Sequence, residues 1–341
     1  MKIDLFNEDN LEVMKRLPDE SVDIICIDPP YLYLKNQKLE RPFDEVNFFS
    51  ECKRLLTKNG FIVMFGRGTS FYRWNTILED LNFTFKEEIV WNKSHCTSPL
   101  MPMSRVHETI SIFCKGKAGI NKVKVPYIEM KSHDLDSIIT DVKRLKSTFN
   151  NTKSLDALIS FLKDNNRDIS DNWQANNLSI SSEITKENRC VSVMRSVSKG
   201  LNEKSIIRTD RKDCDTFTKF GVNSDKRKTG DRCINVMQSV QFGLNEKSII
   251  KQVRDHYSAI HPTQKPVRLL ERLLSLVIPK EKAREDVVVA DFFAGSMSCM
   301  EAVFNMGMQG IAVEIDKEYF EDGKTRIDNI ITEKEKQLFP V

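Results

Sequence analysis

Asp28-Pro29-Pro30-Tyr31 brings together groups with a shared chemical use. Each proline locks its own φ and carries no N–H, so the carbonyls beside them stand rigidly with no backbone donor competing nearby. An ionised Asp28 only accepts hydrogen bonds, and the ring of Tyr31 gives a flat face for stacking. A fixed cluster of acceptors beside an aromatic plate suits a planar NH2 group. The exocyclic amine of a nucleobase is such a group, and it is a poor nucleophile because its lone pair is delocalised into the ring. Acceptors on both N–H bonds draw the nitrogen toward tetrahedral geometry and free that lone pair, which stabilises charge that develops only in the transition state.

Two further stretches could hold a cofactor. Asp291-Phe292-Phe293-Ala294-Gly295-Ser296 follows the apolar run 287–290, and a second apolar run, 310–313, ends in Glu314. A strand, a tight turn of small residues and then a helix lets backbone approach a bound molecule. Glu314 follows Gly295 by about twenty residues, the spacing at which a carboxylate meets ribose hydroxyls in dinucleotide folds; an ordinary βαβ step with a surface carboxylate is the plainer alternative. His261-Pro262-Thr263-Gln264-Lys265-Pro266 precedes leucines at 269, 270, 273, 274 and 276, a helical spacing. Pro266 suits the first helical turn, and the amino end of such a helix can hold a carboxylate.

Together these pieces resemble the DNA amino-methyltransferases, which methylate adenine N6 or cytosine N4. Residues 28–31 look like their catalytic motif, residues 261–266 match their HPTQKP segment letter for letter, and residues 88–93 and 105–113 resemble recurring segments of the same family. The order of catalytic motif, insertion and cofactor loop is similar to the β arrangement of that family, a circular reordering around one sheet. The likeness covers residues 1 to about 117 and about 257 to 330. It implies S-adenosylmethionine (AdoMet) as cofactor, no metal, and double-stranded DNA as partner, with the target base flipped out of the stack. Asp28, Pro29, Pro30 and Tyr31 become the catalytic residues. Asp9, Thr263, Lys265, Asp291, Phe293, Gly295, Ser296 and Glu314 become the cofactor residues, with Thr263 and Lys265 beside the methionine end. Asp9 lies where the family places an acidic residue near the adenine of AdoMet, although it serves equally well as a plain helix cap.

The same resemblance implies site-specific adenine-N6 methylation, in a restriction-modification system or as an orphan or phage enzyme. Asp rather than Ser at the first motif position favours adenine, with cytosine N4 the alternative. A homodimer is a further expectation, because family members are often dimers, and a restriction endonuclease partner is another. One departure stands out. Met297 occupies the place of the family's second glycine and Ser298 that of a threonine. A side chain there is expected to crowd the cofactor or shift the backbone, so a DNA-binding relic without methyl transfer stays open, as does a methylase of RNA or protein.

The elements that must carry these residues read as an α/β fold, a Rossmann-like, doubly wound, mostly parallel sheet of the AdoMet-dependent methyltransferase type. Residues 24–27 are a short apolar run ended by the two prolines, as a strand buried on both faces would be. Strands are also expected over 3–6, 61–65, 88–93, 287–290 and 310–313. Helices are expected from Leu11, Met14 and Leu17, over 48–56 with a stop at Asn59-Gly60, over 71–81, over 135–145 and over 155–162. Residues 34–44 form a long polar connection. Trp91 and Phe113 read as core, Gly66-Arg67-Gly68 as a turn, and His107 and Glu108 as residues that fix loop geometry. The family likeness adds one antiparallel edge strand.

The chain has 341 residues, enough for one large α/β domain with an insertion. It holds no run of eighteen apolar residues and no signal-peptide core at its start, so a cytoplasmic protein without membrane spans is expected. The 8 cysteines include no C-x-x-C pair, which points to reduced thiols and away from a zinc site. Three segments follow: a catalytic half over 1–118, an inserted target-recognition region over 119–256, and a cofactor-binding half over 257–341. The insertion is polar, with Trp173 a large aromatic in its most polar stretch. It contains an internal repeat, residues 189–208 and 232–251, offset by 43 and read as a strand-turn-strand unit used twice. From Arg189 to Tyr257 Lys and Arg outnumber Asp and Glu by 7, most densely at Lys226-Arg227-Lys228, the footprint of phosphate binding. Asn235, Gln238 and Gln241 are side chains of the type that reads base edges.

Overall fold

The computed structural model describes residues 2–31, 41–93, 103, 106–131, 134–146, 155–156, 158–159, 229–252 and 264–338, without the side chains of 229–235 and 335–338. Thr263, the first repeat copy, Trp173, Lys226-Arg227-Lys228 and the side chain of Asn235 therefore lie outside the described residues, as does most of the 155–162 helix. The chain divides into two units. One comprises Met1–Thr97, Arg105–Val123 and Lys247–Val341; the other comprises Ser98–Ser104 and Lys124–Glu246.

In chain order the first unit begins with β1 (Ile3–Phe6), α1 (Asn10–Arg16), β2 (Val22–Ile27), α2 (Glu45–Leu55), β3 (Leu56–Gly66), α3 (Gly68–Asp80), β4 (Thr84–Asn92) and β5 (His107–Cys114). The second unit contains β6 (Lys124–Val125), α4 (Tyr127–Lys131), α5 (Leu135–Lys146), α6 (Thr229–Phe242) and β7 (Leu244–Asn245). The first unit resumes with β8 (Ile249–Lys251), α7 (Val267–Val277), β9 (Val288–Asp291), α8 (Ser298–Asn305), β10 (Gln309–Val313) and α9 (Lys317–Leu338).

Eight strands form one sheet in the order β1-β10-β9-β2-β3-β5-β4-β8. All six residues of β2 are buried, as an apolar strand flanked by parallel neighbours requires. Helices α1, α2 and α3 cover one face with Val13, Met14, Phe48, Phe49, Leu55, Trp74 and Leu78. Helices α7, α8 and α9 cover the other, led by the leucines of α7 and by Met300, Val303 and Ile327. From β2 the chain steps to β3 on one side, whereas β9 steps to β10 on the other, so the β2–β9 boundary is the switch point at whose carboxyl end open α/β sheets bind ligands.

Three details differ from the sequence reading. The antiparallel strand is β5, and it lies inside the sheet, paired antiparallel to both β3 and β4, while β8 continues parallel at the edge. Hydrogen bonding between strands far apart in sequence decides that order, and spacing carries no trace of it. Helix α2 ends at Leu55 and Leu56 turns straight into β3, so Asn59-Gly60 is not a helix stop. Gly60 instead admits β2, because a Cβ there would lie 3.0 Å from the Asp23 carbonyl. Finally, the second repeat copy is a helix followed by two short strands: α6, then β7 paired with β6, then β8 on the main sheet.

In the second unit Ile139, Val142 and Ile159 form a small core. Asp141 is buried there and accepts hydrogen bonds from Tyr127 Oη at 2.8 Å and Arg144 Nη1 at 2.9 Å, with Lys131 alongside. A buried carboxylate so surrounded ties α4 to α5. Among the described residues, no helix is long and apolar enough to cross a membrane.

Candidate active site

The site grows out of the ends of three neighbouring strands. Asp28 is the first residue after β2, Asp291 is the last residue of β9, and Glu314 follows β10. Registers of Ile25 with Ala290 and of Ile311 with Ala290 put these ends side by side. Their charges meet at Asp291, whose pKa burial raises most and Asp28 and Glu314 raise further. A hydrogen bond from the Phe293 amide, 3.0 Å to Asp291 Oδ1, works the other way. The balance pushes Asp291 up to about 7, so near neutrality its carboxyl is shared between two protonation states. Burial likewise raises the pKa of Glu314.

Glu314 spans the turn that the sequence marks out. Its Oε2 accepts from the Gly295 amide at 2.8 Å and its Oε1 from the Asp316 amide at 2.8 Å. Gly295 has φ +49, the left-handed conformation that a residue without Cβ adopts freely. Phe293 packs edge-on against Phe43, with centroids 5.1 Å apart, and also touches Phe48. Ser296 is buried, with its hydroxyl 3.0 Å from that of Ser298. Asp9 caps α1 through the amides of Leu11 at 2.9 Å and Glu12 at 3.4 Å. The next residue, Asn10, donates to the Phe292 carbonyl at 3.4 Å and so joins this helix start to the β9 loop.

Met297 does not crowd the crevice. It adopts φ +56, the backbone that a glycine would take, at a cost of about 1–2 kcal/mol for a residue with a Cβ. Its side chain is wholly buried and runs into the core against Gly323 of α9. A Cβ on Gly323 would stand 2.7 Å from Met297 Cγ and 3.2 Å from the Gly295 carbonyl. The loop therefore keeps a glycine-like path, and the missing Cβ in α9 makes the room. Only Met297 was visible as unusual in the sequence; its partner lies 26 positions on, with nothing local to flag it.

Within residues 28–31, Tyr31 Oη donates to Asp28 Oδ1 at 2.5 Å. Its ring lies 6.3 Å from that of Trp74, and its carbonyl accepts from Ser70 Oγ at 2.8 Å. Lys265 comes to Asp28 Oδ2 from the segment just before α7. The sequence suggested a cofactor contact for this lysine; the fold brings it to the motif aspartate. Glu108 of β5 lies 3.5 Å from Lys265 Nζ and 2.9 Å from Lys93 Nζ. Lys93 follows β4, at the end of the 88–93 segment that resembles the family, but nothing in the sequence assigns it a role of its own. Trp91 and Phe113 are buried core residues as expected.

Three carboxylates at a switch point, Asp28, Asp291 and Glu314, with a cation, Lys265, already on Asp28, suit a ligand with positive charge and ribose-type hydroxyls better than a phosphate.

A family profile described as DNA methylase matches residues 22–325. The chain belongs to the DNA methylase family. Type II methyltransferase M.HinfI of Haemophilus influenzae is 31% identical over 150 residues, covering 36% of this chain and 40% of that protein. Type II methyltransferase M.BglII of Bacillus subtilis is 27% identical over 140 residues, covering 36% of this chain and 39% of that protein. The matched stretch spans less than half the length of either relative. In fold the chain is similar to the PvuII DNA methyltransferase (cytosine-N4-specific), with TM-score 0.50 and 12% identity over 96% of this chain and 86% of that one. This member of the family is an α/β protein with a mostly parallel, doubly wound sheet.

Proposed function

We propose that this chain is a site-specific DNA methyltransferase that moves a methyl group from AdoMet to adenine N6 in duplex DNA. The observation that carries the reading is the meeting of Asp28 and Asp291 at one switch point, with the amine-accepting motif on one side and the Gly295–Glu314 turn on the other. AdoMet, when bound, supplies an electrophilic methyl on a sulfonium. Its charge, its ribose and its lack of phosphate fit the acidic crevice. Asp291 offers a carboxylate to positive charge, Glu314 lies where ribose hydroxyls would be met, and Phe293 gives an aromatic wall. Asp28 and a carbonyl of the Pro29-Pro30 turn accept from the target amine, and Tyr31 stacks on the flipped base. Residues 119–256 serve as the target-recognition region. Its basic balance supports phosphate contact, and Gln238 and Gln241 lie exposed on α6 as base-reading side chains would. A restriction-modification setting, with an endonuclease partner, follows the same reading.

Incubation of the purified chain with tritium-labelled AdoMet and duplex DNA, RNA or protein tests it, with digestion of the labelled DNA to nucleosides. Label in N6-methyladenine is the expected result. Label in N4-methylcytosine would move the target to cytosine, and label in RNA or protein alone would overturn the reading.

A further inference from the structure

Four charged side chains of alternating sign run back from the catalytic motif into the protein. Asp28 meets Lys265, Lys265 meets Glu108, and Glu108 meets Lys93. They come from four places, after β2, before α7, within β5 and after β4, so only the assembled sheet brings them together. Asp28, at the motif end, is 23% exposed, and the three side chains behind it, Lys265, Glu108 and Lys93, are 8%, 12% and 4% exposed. Aromatic faces complete the two cation sites, with Lys265 Nζ 5.0 Å from the Phe65 ring centroid and Lys93 Nζ 5.8 Å from that of Trp91. Placing four charges away from water is costly unless each is paired. A fold that keeps such a row leading to its reactive corner is using it to fix the corner.

We infer that Lys265 is a positioning residue for methyl transfer, holding Asp28 Oδ2 so that Oδ1 faces the target amine, with Glu108 and Lys93 holding Lys265 in turn. This rests on the proposed function. Oδ1 is bound in this structure by the Tyr31 hydroxyl, a donor that the amine replaces when the ring turns to stack. A carboxylate free to rotate would offer its lone pairs to the amine in many orientations. One anchored at a single oxygen offers them in one. Misplacing a reacting group by about 1 Å costs on the order of 100-fold in rate. The alternative use of Lys265, binding the carboxylate of the cofactor, predicts a different kinetic signature.

Single-turnover methyl transfer at saturating DNA and AdoMet, with calorimetric AdoMet affinity in the same samples, separates the two. Lys265→Met is expected to slow transfer about 100-fold and leave the AdoMet Kd within about threefold. Lys265→Arg is expected to regain about tenfold of the rate, because it restores a cation that can reach Asp28. Glu108→Gln, which keeps its size, is expected to slow transfer about tenfold at unchanged Kd, and it decides the matter if Lys265→Met does not fold. An AdoMet Kd weakened tenfold or more at an unchanged saturated rate would overturn the inference and assign Lys265 to the cofactor. Unchanged rates in an active background would overturn the inference alone. A wild-type chain that transfers no methyl group to nucleic acid would remove the proposed function, and the inference with it.

Discussion

The two ends of β2 carry aspartates five positions apart, each paired with a lysine, and they differ in the carboxylates around them. Asp23, at the amino end, is 2% exposed and fully engaged. It receives Lys282 Nζ at 2.7 Å, the Val288 amide at 3.0 Å and Thr57 Oγ1 at 3.3 Å, and so locks β2 to the start of β9. At the carboxyl end of the same two strands, Asp28 and Asp291 share one crevice with Glu314, and Lys265 faces them. Buried carboxylates that serve the fold are each given donors and a cation. At the carboxyl end Lys265 pairs with Asp28 and two amides with Glu314, while burial and the like charges of these two neighbours raise Asp291 to about 7. Crowding of that sort is destabilising by itself, and a bound cation would relieve it.

The contrast can be broken at either end. Asp28→Ala is expected to reduce methyl transfer about 1,000-fold while DNA affinity stays within about threefold; filter binding beside single-turnover transfer measures both. A variant retaining more than about a tenth of the rate would remove Asp28 from the chemistry. Asp291 contributes a pH dependence to the cofactor-free fold. Its folded pKa of about 7 exceeds the ordinary value of 3.8, so the folded state binds this proton more tightly than the unfolded one. The stability it contributes is complete below about pH 4 and is lost as pH rises through 7, a fall of about 2–4 kcal/mol. Urea unfolding at pH 5 and pH 8 should show that fall in the wild type and a smaller one in Asp291→Asn.

Asp23→Ala should act at the other end only. It leaves the Val288 amide and Lys282 without their acceptor, at about 2–3 kcal/mol, discounted because Lys282 is 41% exposed. The melting temperature should drop while transfer per folded molecule holds. A loss of transfer without loss of stability would erase the distinction between the two ends. Smallest is Gly323→Ala, whose Cβ must displace Met297, at about 1–2 kcal/mol. A weaker AdoMet Kd is expected as the Gly295 turn moves.

Much of this was legible in the sequence because it is local. The apolar run at 24–27 with its two prolines fixed both a buried strand and the residues at its end. The turn at Gly295 and the carboxylate at Glu314 were readable from spacing, and the amide-to-carboxylate bond between them is the physical form of that spacing. What escaped was non-local. Strand β5 enters between β3 and β4 through hydrogen bonds between distant segments. Lys265 reaches Asp28 across 237 positions, and Lys93 is an ordinary lysine until the sheet places it beside Glu108. Met297 looked like a defect because its compensation, the bare backbone of Gly323, sits in another helix.

An acidic cluster built for a cation should bind one more tightly as Asp291 loses its proton. Calorimetric titration of AdoMet into the wild type and Asp291→Asn at pH 6 and pH 8 tests that. With a carboxyl titrating at about 7, the wild-type affinity should rise about tenfold between the two pH values as Asp291 loses its proton, and Asp291→Asn should bind weakly and equally at both. A wild-type affinity that falls as pH rises, or an Asp291→Asn affinity equal to the wild type at pH 8, would contradict it.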